Sequence, residues 1–134
     1  MQLKNGFTLI ELLIAIVVVV ILSAVAVNSY SRYVLKSRRS DAINALLSIS
    51  QAEERYRATN TSYGTLSQVW PSTTTPQGYY NLSSSSVSAT SYTLTAAAVG
   101  SQANDTENGT ACSSLVLSVS NGTVTNTPAA CWPS

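Results

Sequence analysis

The sequence predicts an α+β protein, in which one long N-terminal helix packs against an antiparallel sheet of about four strands and a disulfide loop closes the C-terminus. Three observations support this prediction: an apolar run from Phe7 to Val27, an amphipathic run after it, and short alternating segments beyond residue 78. The apolar half of the helix is expected to span a membrane, and the amphipathic half is expected to cover the sheet.

The apolar run has 21 residues, of which 15 are Phe, Leu, Ile or Val, and its single charge is Glu11. As a helix it would measure about 31 Å, the thickness of a bilayer core. Its apolar side chains favour insertion by on the order of −5 to −9 kcal/mol, against about +3 kcal/mol for the carboxylate. A cleaved secretory signal is the alternative, because Ala24-Val25-Ala26 fits a small-x-small site, but the run is longer than a usual signal.

The helix is predicted to continue as an amphipathic helix to about Thr59. Apolar residues recur there at spacings of three and four, at Ala42, Ala45, Leu46, Ile49, Ala52 and Tyr56. Glu53-Glu54 lies close to two arginines, which indicates a solvated face. The basic cluster from Arg32 to Arg39 is interpreted as a solvated face or a contact with lipid headgroups, with nucleic-acid binding as the minority alternative.

A loop is predicted from Asn60 to Gly78, because this segment is rich in Ser and Thr and contains two prolines. Its large apolar side chains, which should hold it against the core, are Tyr63, Leu66, Val69 and Trp70. An aromatic ligand site at these residues is a weaker alternative than packing.

Alternating segments after the loop predict the strands, at Tyr80–Ser83, Tyr92–Thr95 and Leu115–Val119. The sequence Ser120-Asn121-Gly122-Thr123 predicts a hairpin turn leading to a further strand at Val124. The segment from Gln102 to Thr110 is expected to be an exposed loop. Its acidic residues suggest a calcium loop only faintly, since the bidentate Glu of such loops is missing.

Cys112 and Cys131 are the only cysteines, and the chain contains no histidine. Two thiols alone cannot form a zinc site, so a disulfide in an oxidising compartment is predicted, with two unpaired thiols as the alternative. No Lys or Arg follows Arg57, which makes direct nucleic-acid binding by the globular domain an unfavoured function. Without a histidine, a Gly-rich phosphate loop or a nucleophile–base pair, we expect no enzyme, metal site or cofactor.

The residues KNGFTLIELL resemble the leader and mature N-terminus of a type IV prepilin. The family has a charged leader that ends in Gly, then Phe, then an apolar helix with Glu as its fifth residue. The corresponding residues here are Lys4, Gly6, Phe7 and Glu11. The resemblance extends over the rest of the chain, through Asn28-Ser29-Tyr30, Tyr33 and the terminal Cys131-Trp132.

The resemblance implies a leader at residues 1–6, a transmembrane and assembly helix at 7–28, and a pilin globular domain at 29–134. A membrane prepilin peptidase would cut between Gly6 and Phe7 and methylate the new amino group. The subunit would then cross the inner membrane once, in contact with lipid and with its globular domain in the periplasm. An inner-membrane assembly platform would deliver it into an extracellular filament of pilin subunits, where Phe7 and Glu11 serve assembly.

Glu11 is expected to pair with the positive N-terminus of a neighbouring subunit, because an unpaired charge in an apolar helix bundle is costly. The alternatives are that it reaches the lipid headgroups or bonds its own N-terminus. The family commonly has Gly and Pro where this chain has Val20 and Asn28, so the helix is expected to stay unbroken in the filament.

Two further alternatives concern function: a minor pilin for DNA uptake in competence, and a pseudopilin of type II secretion. Some pilins carry an O-glycan on a C-terminal Ser, which makes Ser134 a weak candidate for this modification. The positive-inside rule conflicts with a periplasmic domain, because four cations follow the apolar run and only Lys4 precedes it. The cysteine pair and the resemblance favour the periplasm.

Overall fold

A computed structural model describes residues 6–133, without the side chain of Asn28. Lys4 and Ser134 therefore lie outside the described residues. The elements are the helices α1 (Leu9–Arg57) and α2 (Leu66–Val69), the strands β1 (Tyr80–Ser85), β2 (Ser91–Ala98), β3 (Thr106–Glu107), β4 (Thr110–Ala111), β5 (Ser114–Ser120) and β6 (Thr123–Thr127), and two 3₁₀ turns (Gly100–Asn104 and Ala129–Cys131). The chain divides into two compact units between Tyr33 and Val34, and we call the second unit the head.

Helix α1 runs without interruption through Val20 and Asn28. The absence of Gly and Pro from these two positions removes the usual helix-weakening residues, which accounts for the continuity. Whether the helix also stays continuous in a filament remains a prediction. The helix ends at Arg57, two residues before the expected end at Thr59.

The main sheet of the head has four antiparallel strands, as predicted, and their order across the sheet is β1-β2-β5-β6. Tyr92 on β2 pairs with Val119 on β5, which in turn pairs with Val124 on β6. Asn121 and Gly122 both have positive φ, at 50° and 78°, as a two-residue hairpin turn between twisted strands requires. The small pair β3-β4 was not predicted.

The core of the head lies between the amphipathic part of α1 and one face of the main sheet. Five of the six predicted helix residues are buried, and Tyr56 is half-buried. The strands supply alternate residues to the same core, as their period of two requires. The larger of these strand residues are Tyr80, Leu82, Tyr92, Leu94, Leu115, Leu117 and Val119.

The predicted disulfide is present between Cys112 and Cys131, whose Cα atoms are 5.7 Å apart and 19 positions apart in sequence. Both residues are buried, so the bridge joins the end of β4 to the C-terminal turn inside the head. Exchange of both cysteines for Ala is expected to lower the free energy of unfolding by about 3 kcal/mol. Without the bridge the unfolded chain is no longer restricted by a closed loop, so its conformational entropy is higher. Urea denaturation of the wild type and the double variant tests this, and equal midpoints would contradict it.

Candidate functional site

The first unit presents a continuous apolar surface. Every residue from Phe7 to Val27 is exposed, and Phe7 itself has 80% of its surface accessible. By length and composition α1 can cross a membrane. An apolar surface of this extent requires lipid or other apolar helices around it, because its exposure to water is energetically unfavourable.

Glu11 lies in the first turn of α1, where the partial positive charge of the helix N-terminus favours a carboxylate. Its backbone N–H points to the hydroxyl oxygen of Thr8 at 3.4 Å, and the N–H of Leu12 donates to the Thr8 carbonyl at 3.2 Å. Gly6 and Phe7 precede this turn. The predicted processing and assembly residues therefore lie within a few residues of each other, at the start of the apolar surface.

The head contains an ionic cluster centred on Arg39, a buried residue of α1. Its Nε and Nη2 donate to the two carboxylate oxygens of Asp105 at 2.7 and 2.8 Å, and its Nη1 donates to Glu107 at 2.9 Å. Nη1 also lies 3.4 Å from the carbonyl oxygen of Cys131. One guanidinium thus ties α1 to the segment before β3, to β3 itself and to the disulfide.

Two more polar residues extend this cluster. The ammonium of Lys36 donates to Glu107 at 3.0 Å, and hydrogen bonds from Lys36 and Arg39 hold the pKa of Glu107 below its ordinary value. Stability from this carboxylate is therefore present above the ordinary Glu pKa and is lost as pH falls through the lowered value. Gln102 is fully buried, and its amide donates to the Leu35 carbonyl and to the Tyr80 hydroxyl, at 2.9 and 2.8 Å.

The ionic cluster overturns two expectations. The basic segment of α1 is not only a solvated or lipid-facing surface, because Arg39 is buried in ion pairs and Arg38 lies 4.3 Å from the centre of the Tyr79 ring. The segment from Gln102 to Thr110 is not simply an exposed loop, because it includes β3 and buries Gln102 and Asp105. Its two carboxylates bind the guanidinium of Arg39 and the ammonium of Lys36.

Glu53 also differs from expectation, since it is fully buried and not part of a solvated face. Its Oε2 accepts a hydrogen bond from the Gly64 N–H at 2.8 Å, which anchors the start of the loop between α1 and β1. A side chain at Gly64 would meet Val69 at 2.7 Å, so only glycine fits this close approach. Glu54, the neighbouring residue, is exposed and accepts from the Tyr63 hydroxyl at 3.1 Å.

Burial raises the pKa of Glu53, and the hydrogen bond from Gly64 only partly offsets this. Because the folded-state pKa of Glu53 is raised, its protonated form contributes to the free energy of unfolding at pH values below the unfolded-state pKa. This contribution is lost as pH rises through the folded-state pKa. Glu53→Gln keeps the acceptor for Gly64 and removes the buried charge, so we expect the stability of the variant relative to wild type to increase from pH 4 to pH 7. Urea denaturation at both pH values measures it; a difference that does not change with pH would contradict the prediction.

The sequence contained only weak signals for these buried polar residues. Asp105 and Glu107 are the only charges after Arg57, so any cation of this chain that pairs with them lies at or before Arg57 in the sequence. Arg39 lies 66 positions away from Asp105, however, and no local pattern encodes that pairing. Glu53 directly follows Ala52, a residue of the apolar stripe, and this position was a weak indication that Glu53 is buried.

The long helix with an apolar N-terminal part, the four-stranded antiparallel sheet and the C-terminal disulfide together define the architecture of the type IV pilins. Comparisons with known proteins agree. A family model described as the prokaryotic N-terminal methylation motif matches residues 1–27, and one described as type IV minor pilin ComP, DNA uptake sequence receptor, matches residues 28–116. The chain belongs to the type IV pilin family, and the second model covers the head as far as Val116.

Two curated proteins show the same relationship. The chain is 39% identical over 82 residues to the type IV major pilin protein PilE of Neisseria gonorrhoeae, which covers 61% of this chain and 45% of that protein. It is 49% identical over 43 residues to the fimbrial protein EcpC of Eikenella corrodens, which covers 32% of this chain and 28% of that protein. The matches thus span less than half the length of either relative.

Proposed function

We propose that this chain is a structural subunit of a type IV pilus filament. In this proposal a prepilin peptidase cuts between Gly6 and Phe7 and methylates the new N-terminus, and the α1 helices of many subunits then pack together. The observation that carries the proposal is the exposed apolar surface from Phe7 to Val27, which lies within the N-terminal methylation motif matched at residues 1–27. Before assembly, lipid of the inner membrane would cover the same surface.

The disulfide of the head supports a periplasmic location despite the cations after the apolar run. Lys36 and Arg39 are paired with carboxylates of the head, and Arg38 is stacked on Tyr79. Three of the four cations after the apolar run therefore contact groups of the folded head, and Arg32 is exposed. The disulfide is also consistent with an oxidising compartment.

Deletion of the gene and complementation with the wild-type chain tests the filament role. If the chain is the main subunit, sheared filaments should disappear on deletion, return on complementation, and contain this chain as their principal protein. Filaments of normal yield in the deletion strain, with no trace of this chain in the wild-type filaments, would contradict the proposal.

A second candidate is a minor pilin that takes part in DNA uptake, which the description of the family model matching residues 28–116 favours. The charge of the head allows only a small electrostatic contribution to DNA binding, because cations and carboxylates balance from Val34 onward. The five cations are Lys36, Arg38, Arg39, Arg55 and Arg57, and the five carboxylates are Asp41, Glu53, Glu54, Asp105 and Glu107. Arg55 is exposed near the end of α1, whereas Arg57 donates to the carbonyls of Asn60 and Ala89 at 2.7 and 3.0 Å.

Binding of short DNA duplexes by the full chain in micelles tests this second candidate. A receptor with so few exposed cations should show a shallow dependence of affinity on salt and a preference among sequences, since phosphate contacts alone would be weak. A steep salt dependence without sequence preference would indicate non-specific attraction. Loss of DNA uptake in the deletion strain with filaments unchanged would favour the minor-pilin role over the main-subunit role.

A further inference from the structure

Two exposed tyrosines follow the apolar run on one face of α1. Tyr30 and Tyr33 are about one helical turn apart, and 70% and 71% of their surfaces are accessible. The other five tyrosines of the chain are buried or half-buried in the head: Tyr56, Tyr63, Tyr79, Tyr80 and Tyr92. Neither hydroxyl of the exposed pair bonds to a group within residues 6–133. Packing of the head therefore does not account for these two rings.

Arg32 lies between the two tyrosines in sequence, and it differs from the cations that follow it. Lys36 and Arg39 pair with carboxylates of the head, and Arg38 lies over the Tyr79 ring. Arg32 is exposed and pairs with no carboxylate in the part of the chain that the structure describes. This turn of α1 thus offers two amphipathic rings and one unpaired guanidinium directly after an apolar surface.

The position of Tyr30 along α1 matches the thickness of a bilayer. The helix from Leu9, its first residue, to Tyr30 measures about 31 Å at about 1.5 Å per residue, and the hydrocarbon core of a bilayer measures about 30 Å. If α1 begins at one surface of the core, Tyr30 lies at the other surface. Tyr33 then lies about 4.5 Å further out, within the polar layer of the membrane.

The side chains of this turn match the chemistry of that layer. Tyrosine is enriched at membrane–water interfaces, because its ring is apolar and its hydroxyl is polar. A guanidinium binds phosphate through paired N–H donors. We propose that Tyr30, Arg32 and Tyr33 bind the phospholipid headgroup layer, with both rings at the edge of the hydrocarbon core and Arg32 on a lipid phosphate. This contact fixes the depth of α1 in the bilayer. The inference rests on the membrane stage of the proposed function and deepens it.

Tryptophan reporters in the full chain test this placement. The chain is reconstituted in vesicles of phosphatidylethanolamine and phosphatidylglycerol that contain a lipid brominated either near the headgroup or near the end of the acyl chain. Tyr30→Trp and Tyr33→Trp should be quenched strongly by the first lipid and weakly by the second. Val19→Trp, in the middle of the run, should show the opposite order. Gln51→Trp, an exposed position of α1 in the head, is the matched control and should be quenched by neither.

A second measurement locates the guanidinium. Arginine labelled with ¹³C at Cζ gives a solid-state NMR signal that the ³¹P of a lipid dephases when the two nuclei are close. We expect dephasing in the wild type and its loss in Arg32→Gln. Arg55→Gln is the matched control, because Arg55 is also exposed on α1 but lies in the head. Its dephasing should equal that of the wild type.

A third measurement tests whether the two rings fix the depth of the helix. In the Val19→Trp reporter, the combined change Tyr30→Ala and Tyr33→Ala should remove the excess of quenching by the chain-end bromine over the headgroup-end bromine, because the helix can then slide. Replacing Ser29 and Ser31 by Ala in the same turn should leave that excess unchanged. An unchanged excess in the tyrosine variant would contradict the anchoring role.

The reporters distinguish failure of this inference from failure of the proposed function. If Val19→Trp is quenched but the two tyrosine reporters behave as Gln51→Trp does, the chain enters the membrane and the headgroup contact is wrong. An unquenched Val19→Trp would overturn the membrane stage itself. Quenching of Tyr30→Trp that falls as the ratio of protein to lipid rises would assign the rings to a second copy of the chain. Dephasing that survives Arg32→Gln would place the phosphate contact elsewhere.

Discussion

Glu11→Ala is expected to leave membrane insertion and leader cleavage intact and to reduce the amount of sheared filament at least about tenfold, because a buried charge is left unpaired at each subunit contact. Removing the carboxylate makes the apolar run more favourable in lipid, so insertion should not suffer. In the filament, however, the positive N-terminus at Phe7 of a neighbouring subunit would lose its partner in an apolar surrounding. The measurement compares the chain in membrane and sheared fractions.

Matched variants separate the charge from the shape of the side chain. Glu11→Gln keeps the size and polarity of the side chain but not its charge, and it should assemble as poorly as Glu11→Ala. Ile14→Ala, a truncation one turn further along the same exposed surface, should reduce filament yield less. Normal filament yield from Glu11→Gln would mean that ion pairing is not needed and would refute this role of the carboxylate.

Arg39→Met is expected to lower the free energy of unfolding of the head by about 3–5 kcal/mol, because it leaves the buried carboxylate of Asp105 without its charge partner. Methionine retains most of the packing volume, so the loss should come mainly from the unpaired charge. The same variant removes a hydrogen bond to Glu107 and the contact with the Cys131 carbonyl. Urea denaturation monitored by near-UV circular dichroism measures the change.

Lys36→Met is the matched control, because Lys36 bonds to the same Glu107 but its side chain is 63% exposed. A surface ion pair of this kind is worth about 0–1 kcal/mol. Combining Arg39→Met with Asp105→Leu should recover part of the loss, since the unpaired charge is then gone. Equal destabilisation by Arg39→Met and Lys36→Met, or no recovery in the double variant, would contradict the account of the ionic cluster.

The local elements of this fold could be predicted from the sequence because their signals lie within a few residues. The apolar stripe of α1, the alternation in β2 and β5, and the Asn121-Gly122 turn each depend on spacing within one segment. The disulfide followed from the number of cysteines, because Cys112 had only one possible partner. The order of the strands across the sheet and their register lay beyond these local signals, apart from the hairpin at Asn121-Gly122.

The buried polar contacts could not be predicted in the same way. The sequence around Arg39 and the sequence around Asp105 each predict a solvated charge. Their burial depends on the folded head, which brings together these two residues although they are 66 positions apart in sequence. Glu53 was assigned to a solvated face because of nearby arginines, although its position beside the apolar stripe directs it into the head. A charged residue is solvent-exposed in most proteins, and local charge patterns predict only this common case. Tertiary contacts bury Arg39, Asp105 and Glu53 instead.

Processing and assembly at the N-terminus define the proposed filament subunit, and intact mass analysis of sheared filaments tests both together. The predicted result is a subunit that lacks residues 1–6, begins with N-methylated Phe7 and retains a disulfide between Cys112 and Cys131 under non-reducing conditions. A chain that begins at Val27, as cleavage after Ala24-Val25-Ala26 would produce, or a chain absent from filaments altogether, would contradict the account.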